Sequence, residues 1–427
     1  SWVRSWIDET YLWYAEVPQL SAASYSTAVD YFAALKTPAK TASGKDKDHY
    51  HFTYSTADWV ALSRSGVMLG YGIEWQLLSA SPPRSIVMAQ VAPGSMADRA
   101  GLARGATVLS VDGVDLVNGS DVATLNAGLF PVTVGEQHSL VVRDTGSSTA
   151  RTVTLTAGAM TMVPVQNVKT FDTASGAVGY LLFNDHIATA EGLLVAAVQQ
   201  LQAANVRDLV LDMRYNGGGY LDIAAELAYM VAGSTRTTDQ VFERLTFNDK
   251  NPFKLTDADT VTPFYTQSQG FSVPSGQTLP SLGLSRVYVL TSASTCSASE
   301  SVINGLRGVG VEVNLVGATT CGKPYGFIPK DNCGTTFFAI QFKGVNQLGF
   351  GDYSDGFSPA CRVSDDFNHA LGDPLEGQLA AALRLRTGGV CPAAADTPSA
   401  PESPNTASRR LALRLPLNPA RSNRTVR

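Results

Sequence analysis

Hydrophobic and polar positions follow three successive rhythms along this chain, and each predicts a different kind of structure. In the first, Trp2, Trp6, Ile7, Tyr11 and Tyr14 recur at helical spacing, and Ala28 to Lys36 offers a second helix, so Ser1 to Asp58 reads mostly as helix. The polar run T-A-S-G-K-D-K-D-H-Y-H, Thr41 to His51, reads as a loop or linker whose histidines, His49 and His51, have no expected chemistry. From about Ser63 to Ala157 short strands alternate with turn residues. Ile86 to Val91 is stopped by Ala92-Pro93-Gly94-Ser95, the short helical piece M-A-D-R-A by Gly101, and Thr107 to Val111 by an Asp112-Gly113 turn that favours positive φ.

After Val163 strands alternate with helices. Apolar strands are predicted at Ala177 to Phe183, Asp208 to Met213, Arg286 to Leu290 and Val311 to Val316, with helices at Glu191 to Ala203, Leu221 to Val231 and Ala298 to Leu306. Continuous apolar strands separated by helices predict a mostly parallel sheet covered on both faces, an α/β core. The polar stretch Phe242 to Leu284 reads as an insertion or cap. These rhythms divide the chain into an N-terminal helical segment (1–60), a strand-rich domain (63–160), an α/β core (164–392) and a Pro/Ser/Asn-rich, then Arg-rich tail (393–427) expected to be disordered.

Composition narrows the function. With 427 residues the chain is long enough for two or three domains, and a net charge of −5 supplies no basic field for nucleic acid. No apolar run reaches the ~18 residues of a membrane helix. The opening Ser1-Trp2-Val3 lacks a Met start, so the expectation is an exported chain, periplasmic or extracellular, whose signal has been removed. Among five cysteines, Cys321 and Cys333 bracket a Gly/Pro-rich stretch read as a turn between strands, and pair across it or stay free. Cys361 and Cys391 form a second candidate pair, which leaves Cys296 odd.

Three segments carry candidate chemistry, each just after a predicted strand, where open α/β sheets place ligands. They are D-M-R-Y-N-G-G-G (Asp212 to Gly219), T-C-S-A-S-E (Thr295 to Glu300) and G-A-T-T-C-G-K-P-Y-G-F (Gly317 to Phe327). Ser297 to Glu300 fits a helix capping box, yet a serine at a helix start after a strand is also well placed as a nucleophile, with the Ala298 N–H near a developing oxyanion. Such a serine needs a base, and Lys323 serves if burial lowers its pKa. The glycine run is either a tight turn or a backbone that approaches substrate, with Gly218 N–H as second oxyanion donor and Arg214 and Asn216 as braces. Gly322-Lys323 is not a phosphate loop, because Pro324 stands where that motif requires Ser or Thr and the upstream glycine is missing.

At these residues the sequence resembles the carboxy-terminal processing (tail-specific) serine peptidases. That family carries D-L-R-x-N-x-G-G, then S-A-S-E with the nucleophile, then a lysine in F-G-K-G about 25 residues on; here all three occur in order, with the lysine in C-G-K-P-Y-G-F. Val91 to Gly113, V-A-P-G-S-M-A-D-R-A-G-L-A-R-G-A-T-V-L-S-V-D-G, is similar to a PDZ domain, without the usual aspartate after Arg-Gly. The resemblance implies a crotonase/Clp-like catalytic core preceded by or holding a PDZ domain, a Ser297/Lys323 dyad, protein or peptide substrates and no metal or cofactor. The PDZ carboxylate-binding loop falls on Leu69, Gly70, Tyr71, Gly72 and Ile73.

Two departures matter. Phe327 stands where many members have a glutamine that orients the lysine, and Gly308 where some have an aspartate. A backbone carbonyl or a hydroxyl such as Thr319 or Tyr325 is then expected to hold the base. The catalytic rival is a Ser/His/Asp triad built on Asp185-His186 or on Asp365, Asp366 and His369; Asp365 and His369 also have metal-ligand spacing but no third partner. The non-catalytic alternative is a PDZ-containing peptide-binding scaffold, against which the retention of both Ser297 and Lys323 speaks.

Overall fold

The apolar runs after Val163 build the central sheet. The computed structural model describes residues 2–392, 412–413 and 424–425; the expectation of disorder for 393–427 lies, apart from Ala412, Leu413, Arg424 and Thr425, outside the described residues. Val178–Phe183 and Asp208–Asp212 are buried at every position, which is why they read as continuous rather than alternating. The sheet has six strands, ordered Val165–Phe171, Val178–Phe183, Asp208–Asp212, Arg286–Thr291, Glu312–Gly317 and Cys361–Arg362. The first pair is antiparallel and all later neighbours are parallel. Helices Ala190–Ala203, Leu221–Ala232 and Ala298–Gly308 fill the crossovers, within two residues of the predicted bounds. Leu211, Leu227, Val289, Val302 and Leu315 pack in the core between them.

Register aligns the chemistry. Asp212 pairs with Leu290 and Thr291 with Gly317, so the three motif-bearing strand ends leave the sheet side by side at its carboxyl edge. The stretch from Phe242, expected as an insertion or cap, instead contributes to a second sheet ordered Val261–Pro263, Val241–Phe247, Phe342–Val345 and Tyr325–Gly326. A Cβ at Gly305 would stand 2.5 Å from the Phe242 ring, so the helix Ala298–Gly308 rests directly on this sheet.

The N-terminal segment is less helical than its aromatic spacing predicts. Helices form at Trp2–Thr10 and Ala28–Ala34, but Phe52–Ser55 is a strand paired antiparallel with Thr335–Phe338. The Phe337 ring meets Trp2 at 5.1 Å, Phe32 at 5.1 Å and Trp6 at 6.5 Å between centroids. Phe32 and Phe337 are buried in one cluster with Phe327, Phe338 and Ile340, so the chain up to Ser65 and Pro164–Arg362 form one compact unit rather than two domains.

The second unit holds Gly66–Val163 and the described residues from Val363 onward, up to Leu413. Its sheet is ordered Ile73–Ser79, Ser85–Val91, Thr107–Val111, Gln137–Arg143 and Ala150–Thr156, antiparallel throughout, around Ile86, Met88, Val108, Leu125 and Leu140. The core expected over 164–392 therefore ends at Arg362. Arg104 explains why the following residues join this unit: its guanidinium donates to Asp365 at 2.5 Å and to the Asp366 and His369 carbonyls at 3.0 Å each. Among the described residues no helix is long and apolar enough to cross a membrane.

Phe337→Ala should cost about 3–5 kcal/mol by removing the ring on which the N-terminal aromatics converge. Denaturant unfolding measures it, and a loss below ~1 kcal/mol would contradict the shared core.

Candidate active site

The strand Arg286–Thr291 ends in a turn that delivers Ser297 to the start of the next helix. Thr295 fixes that turn, its hydroxyl accepting from Ser292 N at 3.0 Å and donating to the Met213 carbonyl at 2.9 Å. Ser297 is fully buried and adopts φ 62°, ψ −118°, a conformation that costs a non-glycine residue about 1–3 kcal/mol and persists only where its surroundings impose it. Its hydroxyl has no hydrogen-bond partner among the described residues. Glu300 Oε2 accepts from Ser297 N at 3.0 Å, the reach-back half of a capping box whose serine oxygen makes no full hydrogen bond. The Ala298 N–H, first in the helix, has no carbonyl partner one helical turn back within the helix.

The glycine turn is locked to this turn. Arg214 forms a fully buried ion pair with Asp212 at 2.9 Å, and Tyr180 donates to the same carboxylate at 2.7 Å. The Asn216 carbonyl accepts from Cys296 N at 3.1 Å and from the Ser299 hydroxyl at 3.0 Å. Its side-chain oxygen accepts from Gly218 N at 2.9 Å. The N–H expected to face an oxyanion is therefore engaged inside its own turn. On the next residue the geometry is different. His186 N donates to the Gly218 carbonyl and Tyr220 N to the His186 carbonyl, so strand alternation turns the peptide groups of Gly219 to the opposite edge. There the chain's own Arg424–Thr425 pairs with Gly219–Tyr220 as a parallel strand.

Lys323 arrives from the third strand end. It is fully buried, and burial pushes its ammonium well below the ordinary lysine value, against the opposing charges of Asp48 and Glu300. Its Nζ lies 3.9 Å from the Phe327 ring centroid and 4.8 Å from that of Tyr50. The residue standing where an orienting glutamine was expected thus contacts the amine with a ring face. Tyr325, expected as a holder, turns its ring edge to Trp13, 4.7 Å away.

One carboxylate ties these parts together. Glu300 Oε2 accepts from Ser297 N and, at 2.8 Å, from Lys323 N; Oε1 accepts from Gly322 N at 2.9 Å and the Thr320 hydroxyl at 2.5 Å. Burial raises its pKa, and these four donors oppose the rise. A disulfide adds a covalent link between the same two segments, Cys296 to Cys321, with Cα atoms 5.2 Å apart. This overturns both readings of Cys321, paired with Cys333 or free, and the reading of Cys296 as odd; Cys333 is free and exposed, and the intervening stretch forms the strands Tyr325–Gly326 and Lys330–Asn332 instead of one simple turn. Cys361 and Cys391 are each disulfide-bonded.

Sequence reasoning missed Tyr50 and Asp48, which sit in the run read as a linker. Asp48 is buried, accepts from the Tyr11 hydroxyl at 2.6 Å and from Tyr50 N at 2.9 Å, and so positions the ring beside Lys323. The Tyr50 hydroxyl donates to the Gly322 carbonyl at 3.2 Å. Glu300 was legible only as a cap. The triad candidates have other occupations. His186 is buried, pushed down to about 3 by desolvation, and bonds Asn216 at 3.0 Å rather than a carboxylate. His369 bonds Asp366 at 2.6 Å, and Asp365 is taken by Arg104.

Comparison with known proteins adds the family context of these segments. The family model for peptidase family S41 matches residues 177–327, that for the S41 N-terminal domain matches 1–55, and a PDZ domain model matches 87–143. The chain carries a peptidase family S41 domain, an S41 N-terminal domain and a PDZ domain. It is 28% identical over 269 residues to a carboxyl-terminal-processing protease of Picosynechococcus sp., covering 61% of this chain and 56% of that protein. It is 31% identical over 179 residues to the chloroplastic C-terminal processing peptidase of Tetradesmus obliquus, covering 39% of this chain and 38% of the relative. The chain thus spans 56% or less of the length of these two relatives. The fold matches that of a putative S41 protease from Bacteroides fragilis with a TM-score of 0.70 at 24% identity, over 91% of this chain and 97% of that one.

In the PDZ domain, Leu69 to Ile73 link the strand Val67–Gly70 to Ile73–Ser79, the edge strand of the sheet. Gly72 at φ 85° is required there, since a Cβ would stand 2.2 Å from Ser95. The Tyr71 side chain is buried with its hydroxyl on the Gly128 carbonyl at 3.0 Å, which leaves this loop its backbone to offer a ligand.

Glu300→Gln replaces one acceptor oxygen with a donor facing N–H groups, and should destabilise the fold by about 1–3 kcal/mol. Thermal unfolding tests this, and an unchanged midpoint would contradict the four-donor arrangement. Ser297→Gly, which relieves the strained φ, should by contrast stabilise by about 1 kcal/mol.

Proposed function

We propose that this chain, with its S41 domain, is a serine endopeptidase in which Ser297 is the nucleophile and Lys323 the general base. The observation that carries the reading is the uncommitted Ser297 hydroxyl on a strained turn, tied through Glu300 to a lysine that burial favours in its neutral form. Neutral Lys323 takes the hydroxyl proton as Oγ attacks the scissile carbonyl. The oxyanion forms beside the Ala298 N–H and the glycine turn. Because Gly218 N–H is held by Asn216, the second donor is assigned to Gly219, whose peptide faces the edge on which Arg424–Thr425 pairs and from which a substrate strand would displace it. Lys323 then protonates the leaving amine, and water hydrolyses the acyl-enzyme. The aromatic faces of Phe327 and Tyr50 flank the amine. No step calls for a metal or cofactor.

The substrates are extended or unfolded polypeptides recognised near their C-terminus. Pairing of Arg424–Thr425 with Gly219–Tyr220 supports an edge that accepts extended backbone. The loop Leu69, Gly70, Tyr71, Gly72 and Ile73, beside the edge strand Ile73–Ser79, suits a chain-end carboxylate and an added strand. The disulfides support an exported protein in an oxidising compartment.

Cleavage of an unstructured polypeptide tests this reading. Ser297→Ala and Lys323→Met should each abolish turnover while peptide binding persists; cleavage by Ser297→Ala would overturn it. Since the neutral amine is the active form, kcat/KM should rise with pH through the depressed lysine pKa and then level. Stability has the same sign. Between that pKa and the ordinary lysine value of about 10.4 the unfolded chain binds more protons, so stability rises with pH in that window. Lys323→Met should remove this slope and stabilise the protein near neutral pH by about 1–3 kcal/mol, as unfolding across pH would show.

A further inference from the structure

Cys296 immediately precedes the nucleophile, and Cys321 lies two residues before the base. Their disulfide joins segments already bound by hydrogen bonds: Cys321 N donates to the Thr295 carbonyl at 3.0 Å, and Cys296 N to the Asn216 carbonyl at 3.1 Å. We propose that the Cys296–Cys321 disulfide is a redox-dependent positioning element that holds Ser297 in register with Lys323, so that the peptidase works only when oxidised. This inference rests on the Ser297/Lys323 reading above.

The physical case lies in the strain at Ser297. Its positive φ must be imposed from both sides. On the C-terminal side Glu300 holds Ser297 N and the helix; on the N-terminal side the anchors are the hydrogen bonds of Cys296 and the covalent bond itself. Breaking that bond frees the residue next to the nucleophile to relax toward an ordinary backbone conformation. It also loosens Cys321, whose neighbours Gly322 and Lys323 are aimed through Glu300. A small misplacement of a nucleophile from its base is costly in rate.

The bond is open to chemical attack at one end. Cys296 is buried at 7% exposure, whereas Cys321 is only partly buried. A dithiol reductant would attack Cys321 Sγ as its thiolate, forming a mixed disulfide and releasing Cys296 as a thiol. The second thiol of the reductant then displaces Cys321, leaving two protein thiols and an oxidised, cyclic reductant. Two electrons and two protons pass to the protein. Reoxidation reverses the step. In a chain made in a reducing compartment and exported to an oxidising one, the dyad would be assembled only after export.

The test follows the full chain, oxidised and then reduced with a dithiol, by turnover of an unstructured polypeptide and by amide hydrogen exchange. Reduction should lower kcat at least tenfold with little change in KM, and reoxidation should restore it. Exchange should quicken in 295–298 and 320–324 while the central strands stay protected. Cys296→Ala/Cys321→Ala should show the low kcat under both conditions. Cys361→Ala/Cys391→Ala should keep the reductant response, and Cys333→Ala should match wild type throughout. Equal kcat in the reduced and oxidised wild type, or full activity in Cys296→Ala/Cys321→Ala, overturns the proposal while leaving the dyad standing. Should the oxidised wild type not cleave at all, the peptidase reading fails. The exchange arm still decides the clamp: unchanged protection of the two segments on reduction overturns it.

Discussion

Everything at this site depends on one buried carboxylate. Glu300 receives the backbone N–H groups of Ser297 and Lys323 on the same oxygen, and the Thr320 hydroxyl and Gly322 N–H of the loop leading to Lys323 on the other. A carboxylate removed from water is tolerated only when its lone pairs are filled, so the four donors are obliged to converge on it. That obligation fixes two strand ends relative to each other. It lets Ser297 keep a strained backbone and an uncommitted hydroxyl, which an ordinary capped helix start would not.

The lysine presents the complementary problem, a cation placed where its charge is disfavoured. Its surroundings are aromatic faces from two distant parts of the chain, Tyr50 and Phe327, and the nearest acidic groups, Asp48 and Glu300, are themselves occupied by hydrogen-bond donors. The N-terminal segment consequently belongs to the same compact unit as Ser297 and Lys323. Its helices and aromatic cluster bring Asp48 and Tyr50 against the base loop, and the Phe52–Ser55 strand anchors them to the hairpin that follows Phe327.

The core was legible in the sequence because its strands are buried on both faces and its helices form apolar runs bounded by turn residues, signals that are local in sequence. Ser297, Lys323 and the glycine turn were legible because each follows a strand, and parallel pairing brings strand ends together. What escaped depended on long-range partners. The run holding Asp48 and Tyr50 is polar and turn-rich, and nothing local shows that Tyr11 and Gly322 bury it. Gly218 was read from glycine spacing, but which peptide faces away from His186 is set by the bonds of His186 itself, outside the motif. Cys321 was read as paired with its sequence neighbour Cys333 or free, whereas the sheet places it beside Cys296. The boundary at Arg362 likewise follows from Arg104, far upstream.

The central claim is that Ser297 is activated by a neutral, buried Lys323. Covalent labelling of the intact protein with a serine-reactive fluorophosphonate, followed by peptide mapping from acid to alkaline pH, measures it most directly. The account predicts a single adduct at Ser297 whose rate of formation rises with pH and collapses in Lys323→Met. An adduct at another residue, or a rate at Ser297 indifferent to pH and to Lys323, would contradict it.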